Sequence, residues 1–232
     1  MSTELYYLII TAIGISFIHT LTGPDHYLPF IALSKANNWT VSKTIFWTVL
    51  CGIGHVGSSV ILGLGGVALG WSLAKISWLE GIRGGIAGWV MLAIGCGYMV
   101  YALVKLQKNK LHKHFDMNDG EMYVYEHKEG QIVLPQQKRK VTPWIMFIVF
   151  VLGPCEPLIP LLSFPAAKQS VAGITILVSV FGLFTLLTMV TLVLLGYYGI
   201  GSFKTAKLEK WVHVLAAGTV VICGAGMVFM GW

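Results

Sequence analysis

Gly23-Pro24-Asp25-His26-Tyr27-Leu28-Pro29 returns 130 residues later as Gly153-Pro154-Cys155-Glu156-Pro157-Leu158. Each copy lies inside a long apolar run, and each sets a proline beside an ionisable residue where a helix would otherwise continue. Proline offers no N–H to the preceding turn and its ring clashes with that turn, so both runs are expected to be broken helices. Two further landmarks repeat in the same order. Val60-Ile61-Leu62-Gly63 matches Val193-Leu194-Leu195-Gly196 at an offset of 133. Leu79-Glu80 and Gly95-Cys96-Gly97 match Leu208-Glu209 and Gly224-Ala225-Gly226 at an offset of 129. Three landmarks at nearly one offset indicate an internal duplication.

Working outward from these stretches, 56% of the 232 residues are hydrophobic and 11% are charged. Soluble domains carry about 25% charged residues. A disordered chain is excluded, and a soluble domain is a poor fit. Hydropathy divides the chain into six spans, at 5–33, 44–71, 82–104, 143–163, 171–200 and 211–231. Each reaches the roughly 20 residues that cross about 30 Å of hydrocarbon. The alternating pattern of a membrane barrel is absent. Met1 to Glu4 carry no basic residue, so the first run reads as a retained span rather than a cleaved leader.

The expected fold is an all-α integral membrane protein. Its six transmembrane helices form two inverted three-helix repeats, with the first and fourth helices broken at Gly-Pro. Residues 1–106 make the first repeat, 107–142 a charged loop, and 143–232 the second repeat. Three is odd, so the second repeat enters the membrane from the opposite face, as in secondary transporters. Thirteen of the sixteen Lys and Arg fall in loops on one side; Lys75, Arg83 and Lys168 make up the other set. The positive-inside rule places the first set, including the 107–142 loop, in the cytoplasm and both termini outside a cell membrane. The net charge of +6 is thereby assigned to cytoplasmic loops, not to a nucleic-acid partner. The bilayer is the expected partner, and a homo-oligomer is allowed. Cys51, Cys96, Cys155 and Cys223 lie in apolar runs with no C-x-x-C pair, which argues against a disulfide framework.

Five ionisable side chains sit at membrane depth beside the breaks: His19, Asp25, His26, His55 and Glu156. A buried Asp costs at least about 2.5–3.5 kcal/mol on insertion scales, so such groups pair with one another or hold a cation. Imidazole suits zinc, copper, iron and nickel, and carboxylate adds negative charge. Cys155 is either a small buried hydrophobe or a soft ligand. His19 and His26 share a helical face but stand about 10.5 Å apart along a straight helix. They can share an ion only if the break at Gly23-Pro24 shortens that distance. A histidine in a span is otherwise a hydrogen-bonded packing residue, and Glu156 otherwise a proton relay.

Other features have plainer readings. Glu80 and Glu209 read as charges at helix N-termini. Gly81 with Gly85, Gly84 with Gly88, and Gly66 with Gly70 read as small-residue pairs that let helices approach. Thr188 aligns with His55 and reads as a hydrogen-bond donor; His213 reads as interfacial. In the loop, His112, His114, Asp116 and Asp119 are read as a solvated charged tract, and a hairpin is expected to turn at Glu129-Gly130.

His19-Thr-Leu-Thr-Gly-Pro-Asp25-His26 resembles the His-x4-Asp-His signature of the nickel/cobalt transporters. It is closer to the Pro-Asp-His form of urease-accessory membrane proteins of the UreH type. This chain has five residues between His19 and Asp25 where the signature has four. Gly54-His55 with Ser58 and Ser59 is similar to that group's Gly-His-Ser element. The broad superfamily also holds TauE/SafE-like sulfite exporters and CcdA thiol-transfer proteins. The resemblance implies divalent transition-metal transport, nickel or cobalt first, with Asp25, His26 and His55 in the selectivity site. His19, Glu156 and Cys155 are the further candidate ligands. Gly153-Pro154-Cys155 also resembles the Pro-Cys element of CcdA, which implies transmembrane thiol or electron transfer as the alternative. CcdA-type proteins carry a cysteine at each break, and here Asp25 takes the first position. A membrane haem protein with two imidazole ligands is the third class. No His-Glu-x-x-His or comparable constellation is present, so the chain is not read as an enzyme and no permanently bound cofactor is expected.

Overall fold

The computed structural model describes residues 3–108, 112–118, 121–127, 143–167, 170–201 and 206–231. Apart from a two-stranded hairpin, its regular structure is helical. The helices are α1 (Thr3–Thr22), α2 (Leu28–Ala36), α3 (Val41–Ala68), α4 (Leu73–Lys108), α5 (Pro143–Leu152), α6 (Leu158–Ala167), α7 (Val171–Gly201) and α8 (Ala206–Ala225). Among the described residues, five helical segments are long and apolar enough to cross a membrane: Thr3–Thr22, Val41–Ala68, Leu73–Leu106, Val171–Gly199 and Trp211–Met230. Their outward faces carry large apolar side chains such as Phe46, Ile61, Trp89 and Leu195, which suits contact with lipid tails. The chain is therefore a multi-pass membrane protein.

The stretch expected as one span at 143–163 is two ten-residue helices, α5 and α6, neither long enough to cross alone. The last helical bond of α5 joins the Gly153 N–H to Val149 O at 2.8 Å. Pro154 then has no N–H to continue the ladder, and the chain restarts when the Leu158 N–H reaches Cys155 O at 3.0 Å. The first span behaves alike. Gly23 N–H bonds to His19 O at 3.0 Å, Pro24–His26 form one 3-10 turn, and α2 begins with Pro29 in its first turn.

α3 begins behind Thr40, whose hydroxyl accepts from the Lys43 N–H at 3.3 Å. It ends at Gly70, where φ is +69°. There Trp71 N–H bonds to Gly66 O and Gly70 N–H to Val67 O, each at 2.9 Å, a Schellman closure. α4 starts nine residues before the expected span at 82–104, because the charges that depress hydropathy there are compensated locally. Lys75 Nζ lies 4.3 Å from the Trp71 ring centre, and Glu80 pairs with Arg83 one turn on.

α1 packs on α7, and α5 and α6 pack on α3; α4 packs along α8. A Cβ on Gly95 would lie 2.8 Å from Val221 N, and one on Gly224 would lie 2.5 Å from Leu92 N. Gly196 is closed by Ile31, and Gly63 faces Leu162 Cδ1 at 3.6 Å.

The hairpin pairs His112–Asn118 with Glu121–His127, antiparallel, with His112 opposite His127. Tyr123–Tyr125 belong to the second strand of this hairpin, and the turn expected at Glu129-Gly130 lies outside the described residues. Residues 128–142 lie outside the described set.

Candidate functional site

The break at Gly23-Pro24 does what a straight helix cannot. It brings the His19 and His26 ring centres to 4.8 Å, edge to face. His55, presented by the middle of α3, completes the group: its ring lies 4.9 Å from that of His26 and 6.4 Å from that of His19. One ligand atom from each of the three histidines lies within 4.8 Å of the other two.

The His26 ring is held by its other nitrogen. Nδ1 stands 3.1 Å from Gly23 O and 3.2 Å from Asp25 Oδ1. Both partners are acceptors, so Nδ1 carries the proton and Nε2 presents its lone pair inward. That Nε2 is 3.3 Å from Nε2 of His55. Two neutral imidazoles share a hydrogen bond at this separation. It is also the spacing of two nitrogens on one tetrahedral ion with bonds of about 2.0–2.1 Å, about 3.3 Å. Nε2 of His19 is buried with no hydrogen-bond partner. Asp25 stands behind His26, in the orienting position that carboxylates take on metal-binding histidines.

The two remaining candidates stand apart from the trio. Cys155 is fully buried in an apolar cluster with Ala12, Val56, Leu158 and Phe181. Glu156 is exposed and lines a cavity of about 610 Å³ that His19 also lines. Cys51 and Cys223 are buried in two other clusters, and Cys96 is exposed; all four cysteines are free thiols. The Thr188 hydroxyl donates to Phe184 O at 2.8 Å, within its own helix, so it is not available to the site. His213 is occupied by the Tyr98 hydroxyl at 2.9 Å and Lys105 Nζ at 3.3 Å.

A second polar group escaped the sequence reading. Glu80 is not a helix N-terminal charge: it lies two turns inside α4 and is fully buried. Its Oε2 is 2.6 Å from Arg83 Nη2. The same guanidinium, read as a loop cation, turns inward and donates to Ser59 Oγ at 2.5 Å and to Gly153 O at 3.1 Å. Ser59 Oγ accepts from the Cys155 N–H at 3.1 Å. The backbone freed by Pro154 is thus satisfied from α3 and α4. The i,i+3 spacing of Glu80 and Arg83 was the available signal.

A helical membrane protein with broken helices meeting around three imidazoles, His26 and His55 buried and His19 partly so, is the class that fold and site define. Residues 28–226 match the family described as the cytochrome c biogenesis protein transmembrane region, and the chain belongs to that family. No curated protein and no solved structure matches it. The family match supports the broad superfamily named above and does not extend to its nickel/cobalt or urease-accessory branch. By description it points to transmembrane thiol or electron transfer, the alternative of the sequence reading, better than to metal transport.

Proposed function

We propose that this chain moves a divalent transition-metal ion, nickel or cobalt first, through the His19, His26 and His55 cluster. The observation that carries the reading is the convergence of three imidazoles, with Asp25 setting the tautomer of His26. Metal displaces the hydrogen bond between the two Nε2 atoms, and His19 closes from the cavity side. Imidazole binds metal only when neutral, so protons compete with the ion. Transport requires no covalent step by the chain, and the metal is cargo.

The same reading takes residues 1–106 and 143–232 as inverted repeats around the site, with 107–142 cytoplasmic and both termini outside. Reciprocal contacts support the repeats. Leu92 and Val221, like Gly95 and Gly224, differ by 129, and each glycine of one half meets its counterpart's neighbour in the other. Rocking of one half on the other would expose the cluster to alternate faces.

Thiol or electron transfer is the second reading. The family description favours it, and Cys155 at the second break supports it. Against it, exchange needs a second thiol to attack through a mixed disulfide, with Cα atoms about 4.4–6.8 Å apart once bridged. The three buried cysteines occupy three different clusters. A haem between His26 and His55 fits less well, since the space beside that pair is about 10 Å³.

The deciding experiment measures nickel, cobalt, copper, zinc, iron and manganese in cells expressing the chain or His26→Ala at equal membrane abundance. The expected result is a change in one or two metals that the variant abolishes. Unchanged metals, with a thiol-oxidation phenotype lost in Cys155→Ser, would replace this reading with the second.

A further inference from the structure

Gly81 and Gly85 do not act as helix-packing residues. A Cβ on either meets nothing within 4 Å, whereas one on Gly84 would lie 2.6 Å from Pro154 Cγ. Gly81, Gly84 and Gly85 instead form one wall of the 610 Å³ cavity, which reaches from His19 to Gly231 and carries Glu156. Two physical constraints say what fills it. An exposed carboxylate at membrane depth is stable in water and costly in lipid. Non-helical backbone such as Gly153–Pro157 is tolerated at that depth only where protein buries it or water lines it. His19 lines the cavity, and its buried Nε2 has no hydrogen-bond partner.

We propose that this cavity is an aqueous vestibule through which divalent cations reach His19, and that Glu156 is the group that draws them in. The proposal rests on the metal reading above. The bare glycine wall keeps the passage wide enough for an ion with part of its water shell, and the carboxylate supplies attraction without closing it. The vestibule is lined by Gly231 and by Gly81, Gly84 and Gly85 in the first half of α4.

The test uses full-length protein in sealed vesicles, with Cys96→Ser as background and Gly85→Cys as the reporter. Ile86→Cys, on the neighbouring outward face, is the control. Methanethiosulfonates carrying a trimethylammonium or a sulfonate group are added from the side of the termini. The expected result is labelling of the Gly85→Cys thiol and not of the control. The cationic reagent should gain about fivefold, the effect of one nearby charge in water. Glu156→Gln should remove that gain, and nickel or cobalt ions should slow the labelling. A Gly85→Cys thiol no more reactive than the control overturns the proposal, as does labelling that metal leaves unchanged. Equilibrium metal binding to purified protein, with and without His26→Ala, separates the two failures. Binding that depends on His26 beside an inert Gly85→Cys removes the vestibule alone, and no binding at all removes the metal reading with it.

Discussion

Nε2 of His26 stands 3.3 Å from Nε2 of His55, although the two residues are 29 positions apart and belong to different elements. Asp25 and Gly23 O hold His26 by Nδ1, and His55 is buried beside Gly153, where an added Cβ would lie 3.4 Å from its Nδ1. The pair is preorganised, so a metal ion there meets two converged ring nitrogens at the cost of one hydrogen bond and the transfer of one proton from Nε2 of His55 to its other ring nitrogen.

His26→Ala or His55→Ala should therefore abolish metal binding, while His19→Ala, which removes the member whose Nε2 makes no hydrogen bond to the other two, should weaken it. Titration of purified protein with nickel and cobalt, read by calorimetry, checks the order. Equal loss from all three variants would mean that the trio closes fully in the bound state.

Asp25→Asn should lower metal affinity about 10–100-fold, the usual loss when a partner orienting a ligand histidine is removed. Asparagine retains the size but not the charge that fixes the His26 tautomer. An unchanged affinity would place Asp25 outside the binding machinery.

Arg83→Met should destabilise the fold by about 3–5 kcal/mol, because it strands Glu80 without its cation. The double variant Glu80→Gln with Arg83→Met should recover much of that loss. Thermal unfolding in detergent measures both. A single variant as stable as the parent would show that the pair contributes nothing to the second break.

Gly95→Ala and Gly224→Ala should each destabilise by about 1–3 kcal/mol, since each Cβ runs into the backbone of the facing helix. Gly97→Ala, which meets nothing within 4 Å, should be neutral. Similar losses at positions 95 and 224 are expected if the two halves share one packing. A large asymmetry would count against the repeat.

Cys155→Ser should leave metal movement within about twofold of the parent, because its side chain is packed among apolar residues away from the trio. Full loss, with metal binding intact, would bring the thiol of this residue into the mechanism.

The membrane character and the broken helices were legible because both are local properties. Long apolar runs determine crossing segments, and proline removes a helical donor wherever it stands. The identities of the histidines were legible for a related reason, since an ionisable side chain in hydrocarbon needs a partner whatever the fold. Glu80 and Arg83 were misread because hydropathy cannot tell a charge at a helix end from one neutralised inside it. Gly81 and Gly85 were misread because a small residue looks the same beside a helix and beside a cavity.

What the sequence determined by itself is the class of molecule and the list of residues that must find company inside it. What the tertiary structure decided is the company. His26 faces His55 and not Asp25 alone, Arg83 serves the second break, and Glu156 lines a cavity that it shares with His19 and not with the His26–His55 pair. Those pairings depend on where separate helices cross, and helix crossings are set by packing between segments distant in the chain, to which local composition is blind.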